Sequence, residues 1–301
     1  MNNKAWKKLG NIFRPEAMFP WLQSHAANPT AEHIRDDIFR IYFSGRDKYN
    51  RSSIGYFVVN INNPAEILEV SSQPVVVPGD LGTFDDSGAS VGCIVHHNGK
   101  SYLYYLGWNL GVTVPWRNSI GLAIADSDEV YRKISNAPVL DRSHIDPYSV
   151  SYPFVLVEDG IWKMWYGSNL SWGKEQKDMH HLLKYAESTD GIHWNPTGEI
   201  AVKFKDENEY AISKPSIIKV NGIYKMWYSY RGDSYRIGYA ESENGIHFRR
   251  MDECAGIDVS QSGWDSESIE YPYVIEHGGA QFMFYNGNKY GLTGIGLAVR
   301  E

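Results

Sequence analysis

Apolar and polar residues alternate along most of the chain in short runs, and this period of two predicts β-strands. The run YPFVLVEDGIWKMWYGS at residues 152–168 has a close copy, KPSIIKVNGIYKMWYSY, at residues 214–230. In both runs two alternating segments flank a DG or NG pair, which is the pattern of an antiparallel hairpin. Helical periodicity is almost absent, so the pattern predicts an all-β fold.

The hairpin pattern occurs five times along the chain. The equivalent positions, at intervals of 62, 62, 62 and 57 residues, are Pro29, Val91, Pro153, Pro215 and Pro272. Each copy holds about four strand segments, and one such sheet cannot bury both of its faces alone. Packing the sheets around an axis solves this problem, so the repeat predicts a five-bladed β-propeller of four-stranded antiparallel blades. We expect residues 1–301 to form this single domain.

The last copy ends at GLAVRE and lacks an outer strand. Near the N-terminus, WKKLGNI matches WNPTGEI of the third copy in its Trp, Gly and Ile positions. We therefore predict that residues 5–13 complete the last blade and close the ring, which also removes a sheet edge. The pairs Trp165–Tyr166 and Trp227–Tyr228 are predicted to pack between blades. Asp190 and Asn244 are predicted to form tight turns.

Composition and charge exclude several classes of function. The formal net charge is −7, which disfavours a nucleic-acid partner, because phosphate binding needs clustered Lys and Arg. The two cysteines, Cys93 and Cys254, form neither a disulfide framework nor a metal-binding spacing. We find no signal-peptide pattern and no apolar run of membrane-spanning length. We therefore expect a cytoplasmic protein with neither a membrane nor a nucleic-acid partner.

Strand direction places the candidate chemistry at one face of the disc. The segment before each first strand and the loop after each second strand share a face, and the NG and DG turns lie opposite. Loops on a rigid scaffold are where sites are usually built. Tyrosines at these positions include Tyr210, Tyr271 and Tyr290. The side chains that we predict to bind substrate, by hydrogen bonds, charge or stacking, are His25, Asn28, Arg46, Asp47, Trp108, Tyr152, Arg231 and Asn288.

Two acidic features stand out at this face. Two positions before the five equivalent residues of the repeat, the chain has Ala27, Ala89, Ser151, Ser213 and Glu270. One acid therefore stands at a position where the other copies have small residues. The second feature is the pair Asp85–Asp86 in FDDSG. Cleavage of a glycosidic bond needs one carboxyl to protonate the leaving oxygen and another to activate water or attack carbon. We predict Glu270 as general acid and Asp85 or Asp86 as general base. The structural alternatives are a salt bridge from Glu270 to Arg46 or Arg231, and a turn cap at one of the aspartates.

The five copies, with FDDSG, YLYYLGW, MWYGS, MWYSYRG and YNGN, resemble the five-bladed β-propeller glycoside hydrolases. This broad group includes families 32, 43, 117 and 130 and uncharacterised relatives, and the resemblance covers nearly the whole chain. It implies acid/base catalysis by carboxylates in a central funnel. Such enzymes typically place an Asp at the start of the first blade and a Glu in the third, where this chain has His25 and Asn28, and Ser151 and Tyr152. The catalytic set has therefore moved to blades two and five, or hydrolysis has been lost.

The leading hypothesis is a glycosidase that acts on a small saccharide or on a terminal sugar of a glycan. One alternative is a glycoside phosphorylase or another glycosyl-transfer enzyme, with phosphate held by Arg46, Arg231, Arg236 and His25. The other is a non-catalytic carbohydrate-binding propeller. Some similar propellers carry calcium near the axis, but the sequence shows no ligand set, so no cofactor is predicted. The pair His180–His181 opens a third strand and is interpreted as structural.

Overall fold

The computed structural model describes residues 5–126, 129–173, 175 and 178–301. Within these residues there are strands, turns and short 3-10 segments such as Asp252–Cys254, and no α-helix. The prediction of an all-β fold is therefore confirmed. The described part of the chain contains no helix that is long and apolar enough to cross a membrane.

The first ten strands are Lys7–Phe13 (β1), Ser24–Arg35 (β2), Ile38–Arg46 (β3), Ser52–Asn60 (β4), Ile67–Val70 (β5), Gly88–His97 (β6), Lys100–Leu110 (β7), Trp116–Ala125 (β8), Arg132–Lys133 (β9) and Val150–Glu158 (β10). The other ten are Ile161–Asn169 (β11), His181–Ser188 (β12), Asn195–Val202 (β13), Ala211–Val220 (β14), Ile223–Arg231 (β15), Tyr235–Ser242 (β16), Arg249–Arg250 (β17), Glu270–His277 (β18), Ala280–Asn286 (β19) and Ile295–Arg300 (β20).

Hydrogen bonding groups the described strands into four-stranded antiparallel units. The units are β2 to β5, β6 to β9, β10 to β13, β14 to β17, and β18 to β20 with β1. A single parallel pair, Ser52 with Gly88, joins the first two units, and His181 with Ala211 joins the next two. The first strands of the units, β2, β6, β10, β14 and β18, contact one another in cyclic order, and β18 contacts β2.

The N-terminal strand lies in the same sheet as the last strand of the chain. Strand β1 pairs antiparallel with β20, from Lys7 opposite Val299 to Phe13 opposite Ile295. Trp6, just before β1, is buried and donates its indole N–H to the carbonyl of Ala255 at 3.0 Å. The segment that was predicted to complete the last unit therefore pairs with β20.

Aromatic side chains fill the layers between units, as the Trp-Tyr pairs predicted. Trp165 and Trp227 are fully buried, and Trp165 donates to the carbonyl of Gly245 at 2.7 Å in the turn of the following unit. That turn is held by Asn244, whose amide oxygen accepts the backbone N–H of Ile246 at 2.8 Å. Turn residues of one unit thus anchor the aromatic layer of its neighbour.

Candidate active site

The first strands of four units carry a left-handed residue immediately before a proline. These residues are Asn28, Tyr152, Lys214 and Tyr271, with φ between 46° and 59°. Strands β10, β14 and β18 each contain a register shift across this position, as at a β-bulge. The bulges redirect side chains, and two of them meet: the hydroxyls of Tyr152 and Tyr271 lie 3.3 Å apart, and their ring centroids 5.5 Å. Strands β10 and β18 are not neighbours in the cyclic order, so this contact crosses the centre of the molecule.

Glu270 begins β18 and is the one acid at this position of the repeat, where the other four copies have small residues. In the other units the corresponding ladder pairs are small, such as Ser151 with Gly167 and Ser213 with Ser229, whereas Glu270 lies opposite Asn286. Glu270 is only 1% exposed. Its Oε1 accepts the backbone N–H of Tyr290 at 2.7 Å, and its Oε2 has no hydrogen-bond partner.

Burial controls the ionisation of Glu270. Desolvation raises the pKa of its carboxyl to about 8, against smaller opposing effects of the Tyr290 N–H and of Arg231. At neutral pH the carboxyl is therefore mostly protonated. It forms no ion pair with Arg46 or Arg231 in the described part of the chain, so the predicted salt-bridge alternative is not what the structure shows. The carboxyl oxygen Oε2 of Glu270 therefore has no hydrogen-bond partner among the described residues.

Tyrosines and an arginine surround this carboxyl. The guanidinium of Arg231, at the end of β15, contacts the hydroxyl of Tyr290 and lies 5.2 Å from the ring centroid of Tyr235. The ring of Tyr235 is 6.1 Å from that of Tyr271. Burial raises the pKa of Tyr152 to about 12, so its hydroxyl keeps its proton at neutral pH. Buried neutral aromatic side chains of this kind lower the local dielectric constant, which strengthens charge interactions in the site.

Arg46 and His25 approach the same tyrosines from the first unit. Arg46 ends β3 and interacts electrostatically with Tyr271 and Tyr152. His25 lies beside it, and desolvation together with Arg46 lowers the pKa of the imidazole to about 4. His25 is therefore neutral at physiological pH and accepts from or donates to the Ser24 hydroxyl at 2.9 Å. Glu270, Tyr152, Arg231, Arg46 and His25, all predicted as site residues, thus lie in one cluster, which we call the tyrosine cluster together with Tyr235, Tyr271 and Tyr290.

Six of the ten buried polar atoms that have no hydrogen-bond partner among the described residues lie at the same ends of the strands. They are Asn28 Oδ1, Asn169 Nδ2, His181 Nδ1, Ser213 Oγ, Arg231 Nε and Glu270 Oε2, whereas those of Arg40, Trp194, Trp227 and Arg300 lie elsewhere. Buried polar atoms in proteins almost always have partners, so a concentration of unpaired ones indicates a place for bound water or ligand. Asn28 belongs to this group, although its backbone N–H is held by the side chain of Asn286 at 2.9 Å.

Asp85 is held inside its own unit, and this placement does not support its prediction as a general base. It is 1% exposed, and both of its oxygens are occupied. Oδ1 accepts the Thr83 hydroxyl at 3.0 Å, and Oδ2 accepts the Tyr105 hydroxyl at 3.0 Å and the Lys133 ammonium at 2.6 Å. These three donors and the burial of Asp85 hold its carboxylate inside the unit and away from solvent.

The same arrangement recurs in two other units. Asp146 accepts from Tyr166 at 2.8 Å and from Lys184 at 2.9 Å. Asp265 accepts from Tyr285 at 3.0 Å and from Lys8 at 2.7 Å. In all three cases the aspartate precedes its tyrosine by 20 residues. This constant spacing is a signal in the sequence that identifies Asp85 as part of the repeat.

Four other predicted residues serve their own loops or neighbouring strands. Asp86 accepts the backbone N–H of Gly82 at 3.0 Å and the Ser87 hydroxyl at 2.9 Å, as the turn-cap alternative predicted. Asp47 caps its loop through the N–H groups of Tyr49 and Arg51. The remaining two engage main-chain or hydroxyl groups: Asn288 accepts from Glu267 and Ser268, and Trp108 donates to Ser52. Among the described residues no hydrogen bond joins these four to the tyrosine cluster.

Tyr235 was missed as a site residue because only the starts of first strands and the ends of second strands were considered, and His181 was interpreted as structural. Tyr235 begins β16 and packs against Tyr271 and Tyr290. His181 begins β12, and burial, with smaller electrostatic effects of its neighbours, lowers its imidazole pKa to about 4. The start of a third strand lies at the same face as the end of a second strand, so strand direction could have identified both.

A lysine occupies the centre between the first strands. Lys214 is fully buried and donates to the carbonyl of Gly92 at 2.6 Å, with its ammonium 5.5 Å from the ring centroid of Tyr273. Desolvation lowers its pKa to about 8. A positive charge there does not fit a ligand set for calcium, and no group of three or more metal-binding side chains occurs in the described residues. No step of the chemistry is therefore assigned to a metal.

One open cavity in the described part of the molecule lies elsewhere. It encloses about 840 Å³ and is lined by Lys203, Phe204, Tyr230, His247 and Arg250 among others. Arg250 is committed to Glu209 and Asp252. The cavity contains neither Glu270 nor any residue of the tyrosine cluster, so its size does not identify the reactive site. We place the candidate site at Glu270 because a buried carboxyl with a raised pKa and six of the ten unpaired buried polar atoms of the described residues lie at this face.

Two relatives from Mycobacterium tuberculosis are each 46% identical to this chain over 297 residues, which is 99% of either protein. They are the uncharacterized proteins MT1551 of strain CDC 1551 and Rv1502 of strain H37Rv. This chain therefore belongs to the same family as these two proteins. No family model matches it.

Its structural neighbours along the whole chain are glycoside hydrolase propellers of the GH43, GH130 and GH32 types. The structure of a BT0996–RGII complex has a TM-score of 0.76 and 17% identity, covering 99% of this chain and 92% of its own. A GH130 structure, from work on hydrolases that target β-1,2 mannosidic linkages in Candida mannan, has a TM-score of 0.70 and 14% identity, covering 99% and 94%. A thermostable family-43 glycoside hydrolase has a TM-score of 0.65 and 16% identity, covering 96% and 91%. Identities this low establish the fold alone.

Proposed function

We propose that residues 1–301 form one five-bladed β-propeller whose ring is closed by β1. Support comes from the five antiparallel units, from the cyclic contacts of their first strands and from the pairing of β1 with β20. Asn286 adds a tie between the last unit and the first, because its side chain accepts from the Asn28 N–H and donates to the Ala26 carbonyl at 2.6 Å. In this arrangement the tyrosine cluster lies at one mouth of the central axis.

We further propose that the protein is an enzyme that cleaves a glycosidic bond, with Glu270 as the general acid. The observation that carries the proposal is a carboxyl that is 1% exposed and whose Oε2 has no partner among the described residues, and burial raises its pKa to about 8. The Tyr290 N–H fixes Oε1, so the proton resides on Oε2. In the reaction Oε2 gives this proton to the leaving oxygen as the bond from that oxygen to the anomeric carbon breaks.

The side chains around Glu270 suit a sugar ring. The partly exposed Tyr152 offers a stacking face and a hydroxyl. Tyr271 and Tyr235 are buried and pack against each other behind it. Arg231 lies over three aromatic rings and keeps positive charge near the acid, which becomes a carboxylate once its proton has left. The base that activates water is not assigned, since Asp85 is committed to its own unit and Asp86 to its own loop.

Release of free sugar from a panel of oligosaccharides tests the proposed activity. The panel includes RGII-derived oligosaccharides and β-1,2-mannosides, because one structural neighbour forms a complex with RGII and another comes from work on β-1,2 mannosidic linkages. We expect turnover of at least one member by the full chain, and its loss in Glu270→Gln. An equally active Glu270→Gln variant would remove Glu270 from the reaction. Binding of a member without turnover, unchanged in Glu270→Gln, would support a non-catalytic carbohydrate-binding protein instead.

A further inference from the structure

Two equivalent places join neighbouring units, and a row of opposite residues crosses each of them. Where the first unit meets the second, the row is, in order, Arg46, Ser52, Gly88 and Trp108. Where the third unit meets the fourth, the row is Asn169, His181, Ala211 and Arg231. Directly opposite side chains lie on the same face of a sheet, and those of antiparallel pairs have Cβ atoms about 4.5–5.5 Å apart. We call these two places the first junction and the second junction.

The polar groups of the first junction satisfy one another. The indole N–H of Trp108 donates to the Ser52 hydroxyl at 2.8 Å, and that hydroxyl lies 3.2 Å from the hydroxyl of Ser90 in β6. Arg46 donates to the amide oxygen of Asn50 at 2.7 Å. The first junction is therefore a hydrogen-bond network within the protein that holds two units together.

The second junction has the same strand pairing but different side chains. The replacements are His181 for Ser52, Arg231 for Trp108, Asn169 for Arg46 and Ser213 for Ser90, which both lie two positions after the residue of the parallel pair. Among the described residues no hydrogen-bond partner is found for Asn169 Nδ2, His181 Nδ1, Ser213 Oγ and Arg231 Nε. The first three of these side chains belong to residues that are at most 5% exposed. Buried polar atoms without partners cost free energy of folding, and the first junction avoids this cost.

The second junction adjoins the proposed acid through Arg231. This arginine acts electrostatically on both the His181 imidazole and the Glu270 carboxyl. Its guanidinium also contacts the hydroxyl of Tyr290, whose backbone N–H donates to Glu270. A group that is bound at the second junction therefore shares Arg231 with the proposed acid.

The unpaired atoms of the second junction suit hydroxyl groups. Asn169 Nδ2 and Arg231 Nε are donors, and the Ser213 hydroxyl can donate or accept. The His181 imidazole is neutral at pH 7, because burial, with smaller electrostatic effects of its neighbours, lowers its pKa to about 4. A sugar hydroxyl accepts from an N–H and donates its own proton in turn, whereas an anion only accepts. A neutral sugar ring presents several such hydroxyls in a fixed arrangement.

We propose that the second junction is a subsite for hydroxyl groups of a neutral sugar, and that Asn169, His181 and Ser213 determine which sugar is accepted. The inference rests on the proposed function for the bond that is cleaved, but binding at the second junction does not require turnover. The three residues are therefore retained for ligand recognition at a cost in stability.

Melting temperatures test this cost, because removing an unpaired group and removing a paired one have opposite effects. Ser213→Ala and Asn169→Leu remove unpaired polar atoms, so we expect melting temperatures no lower than that of the unsubstituted protein. Ser52→Ala, at the first junction, leaves the Trp108 indole N–H without its acceptor and should lower the melting temperature. Ser213→Ala decides the result if Asn169→Leu fails to fold. A loss in Ser213→Ala as large as that in Ser52→Ala would overturn the proposal, since the hydroxyl would then serve the fold.

Calorimetric titration of the full chain tests binding without turnover, because monosaccharides have no glycosidic bond. The probes are D-mannose, D-galactose, D-xylose and L-rhamnose, with D-galacturonate as the acidic match of D-galactose. We expect at least one neutral sugar to bind, about tenfold more weakly in Ser213→Ala and Asn169→Leu and equally well in Ser52→Ala. Failure of all four neutral sugars to bind, or preference for D-galacturonate over D-galactose, would overturn the proposal.

The same titration separates this proposal from the proposed function. A neutral sugar that binds as expected, together with no release of sugar from any oligosaccharide of the panel, would contradict the glycosidase and leave the subsite in place. Turnover that is lost in Glu270→Gln but has the same KM in Ser213→Ala and Asn169→Leu as in the unsubstituted protein would overturn the subsite and leave the acid in place.

Discussion

The backbone N–H of Tyr290 donates to Oε1 of Glu270 at 2.7 Å and leaves Oε2 of the same carboxyl unpaired. This relationship explains how one acid can be buried, protonated and oriented at once. The hydrogen bond fixes the plane of the carboxyl, while burial holds the pKa at about 8. Most of the surrounding groups are neutral tyrosines, so nothing in the tyrosine cluster competes for the proton on Oε2.

Burial of Glu270 should make stability fall as the pH rises. A carboxyl whose pKa is raised on folding contributes fully below its unfolded value of about 4.3, and that contribution is lost as the pH rises to the folded value. With a folded pKa of about 8, the loss by pH 8 is roughly 5 kcal/mol, at about 1.4 kcal/mol per unit. Glu270→Gln removes this dependence.

Denaturant unfolding at pH 5 and at pH 8 checks this expectation. The variant should lose less stability than the unsubstituted protein over this interval, and Asp86→Asn, at a partly exposed acid, should follow the unsubstituted protein. Parallel pH profiles for Glu270→Gln and the unsubstituted protein would show that Glu270 is ionised in the folded state.

Lys214 should have the opposite pH dependence. Its pKa is lowered by burial to about 8, so its contribution is present above the unfolded value of about 10.4 and is lost as the pH falls to the folded value. The difference corresponds to roughly 3 kcal/mol. Lys214→Met keeps the volume, and the Thr30 hydroxyl still donates to the Gly92 carbonyl at 3.2 Å. Between pH 7 and pH 10 the unsubstituted protein should therefore gain about 3 kcal/mol more than the variant. Lys203→Met, at an exposed lysine, serves as control, and identical gains in all three proteins would refute the assignment.

Asp146→Asn and Asp85→Asn should lower the stability of the protein by different amounts, and activity should depend on neither carboxylate. Asp146→Asn leaves the Lys184 ammonium, with 9% side-chain exposure, without its counter-charge, and loss of one partner of a buried pair costs about 3–5 kcal/mol. Asp85→Asn should cost less, because Lys133 is 20% exposed and can reach water. Thermal melts of both variants test the ranking. Turnover per folded molecule should survive in Asp85→Asn, and its abolition there would restore Asp85 as a general base.

Removal of the N-terminal strand tests closure of the ring. A chain that starts at Arg14 loses the β1 to β20 ladder, the Lys8 ion pair to Asp265 and the packing of Trp6 against Trp227, whose centroids are 6.0 Å apart. Burial of a tryptophan alone is worth about 3–5 kcal/mol. We expect a lower melting temperature and a new exposed sheet edge that promotes association. The single substitution Trp6→Ala should give part of the loss, and an unchanged melting temperature in the truncated chain would exclude closure.

Much of the fold was predictable because the same pattern of strands and turns occurs in each copy of the repeat. Glu270 was found for the same reason, since an acid at a position that is otherwise small stands out in a column of equivalent residues. The involvement of Asp85 with Tyr105 and Lys133, which are 20 and 48 residues away, was not predicted, because sequence order does not show where a loop carboxylate points. The clustering of Arg46 with Tyr271 depends on bulges at left-handed residues, which alternation alone does not reveal.

Leaving-group dependence in Glu270→Gln tests the central claim most directly. General acid catalysis contributes about 10²–10⁴ to the rate, and it is needed when the leaving oxygen is basic and not when it is a stable phenolate. With the sugar that the panel identifies, the variant should lose at least about 100-fold on the methyl glycoside and remain close to the unsubstituted rate on the dinitrophenyl glycoside. Equal losses on both glycosides, or none on either, would contradict the assignment of Glu270 as the proton donor.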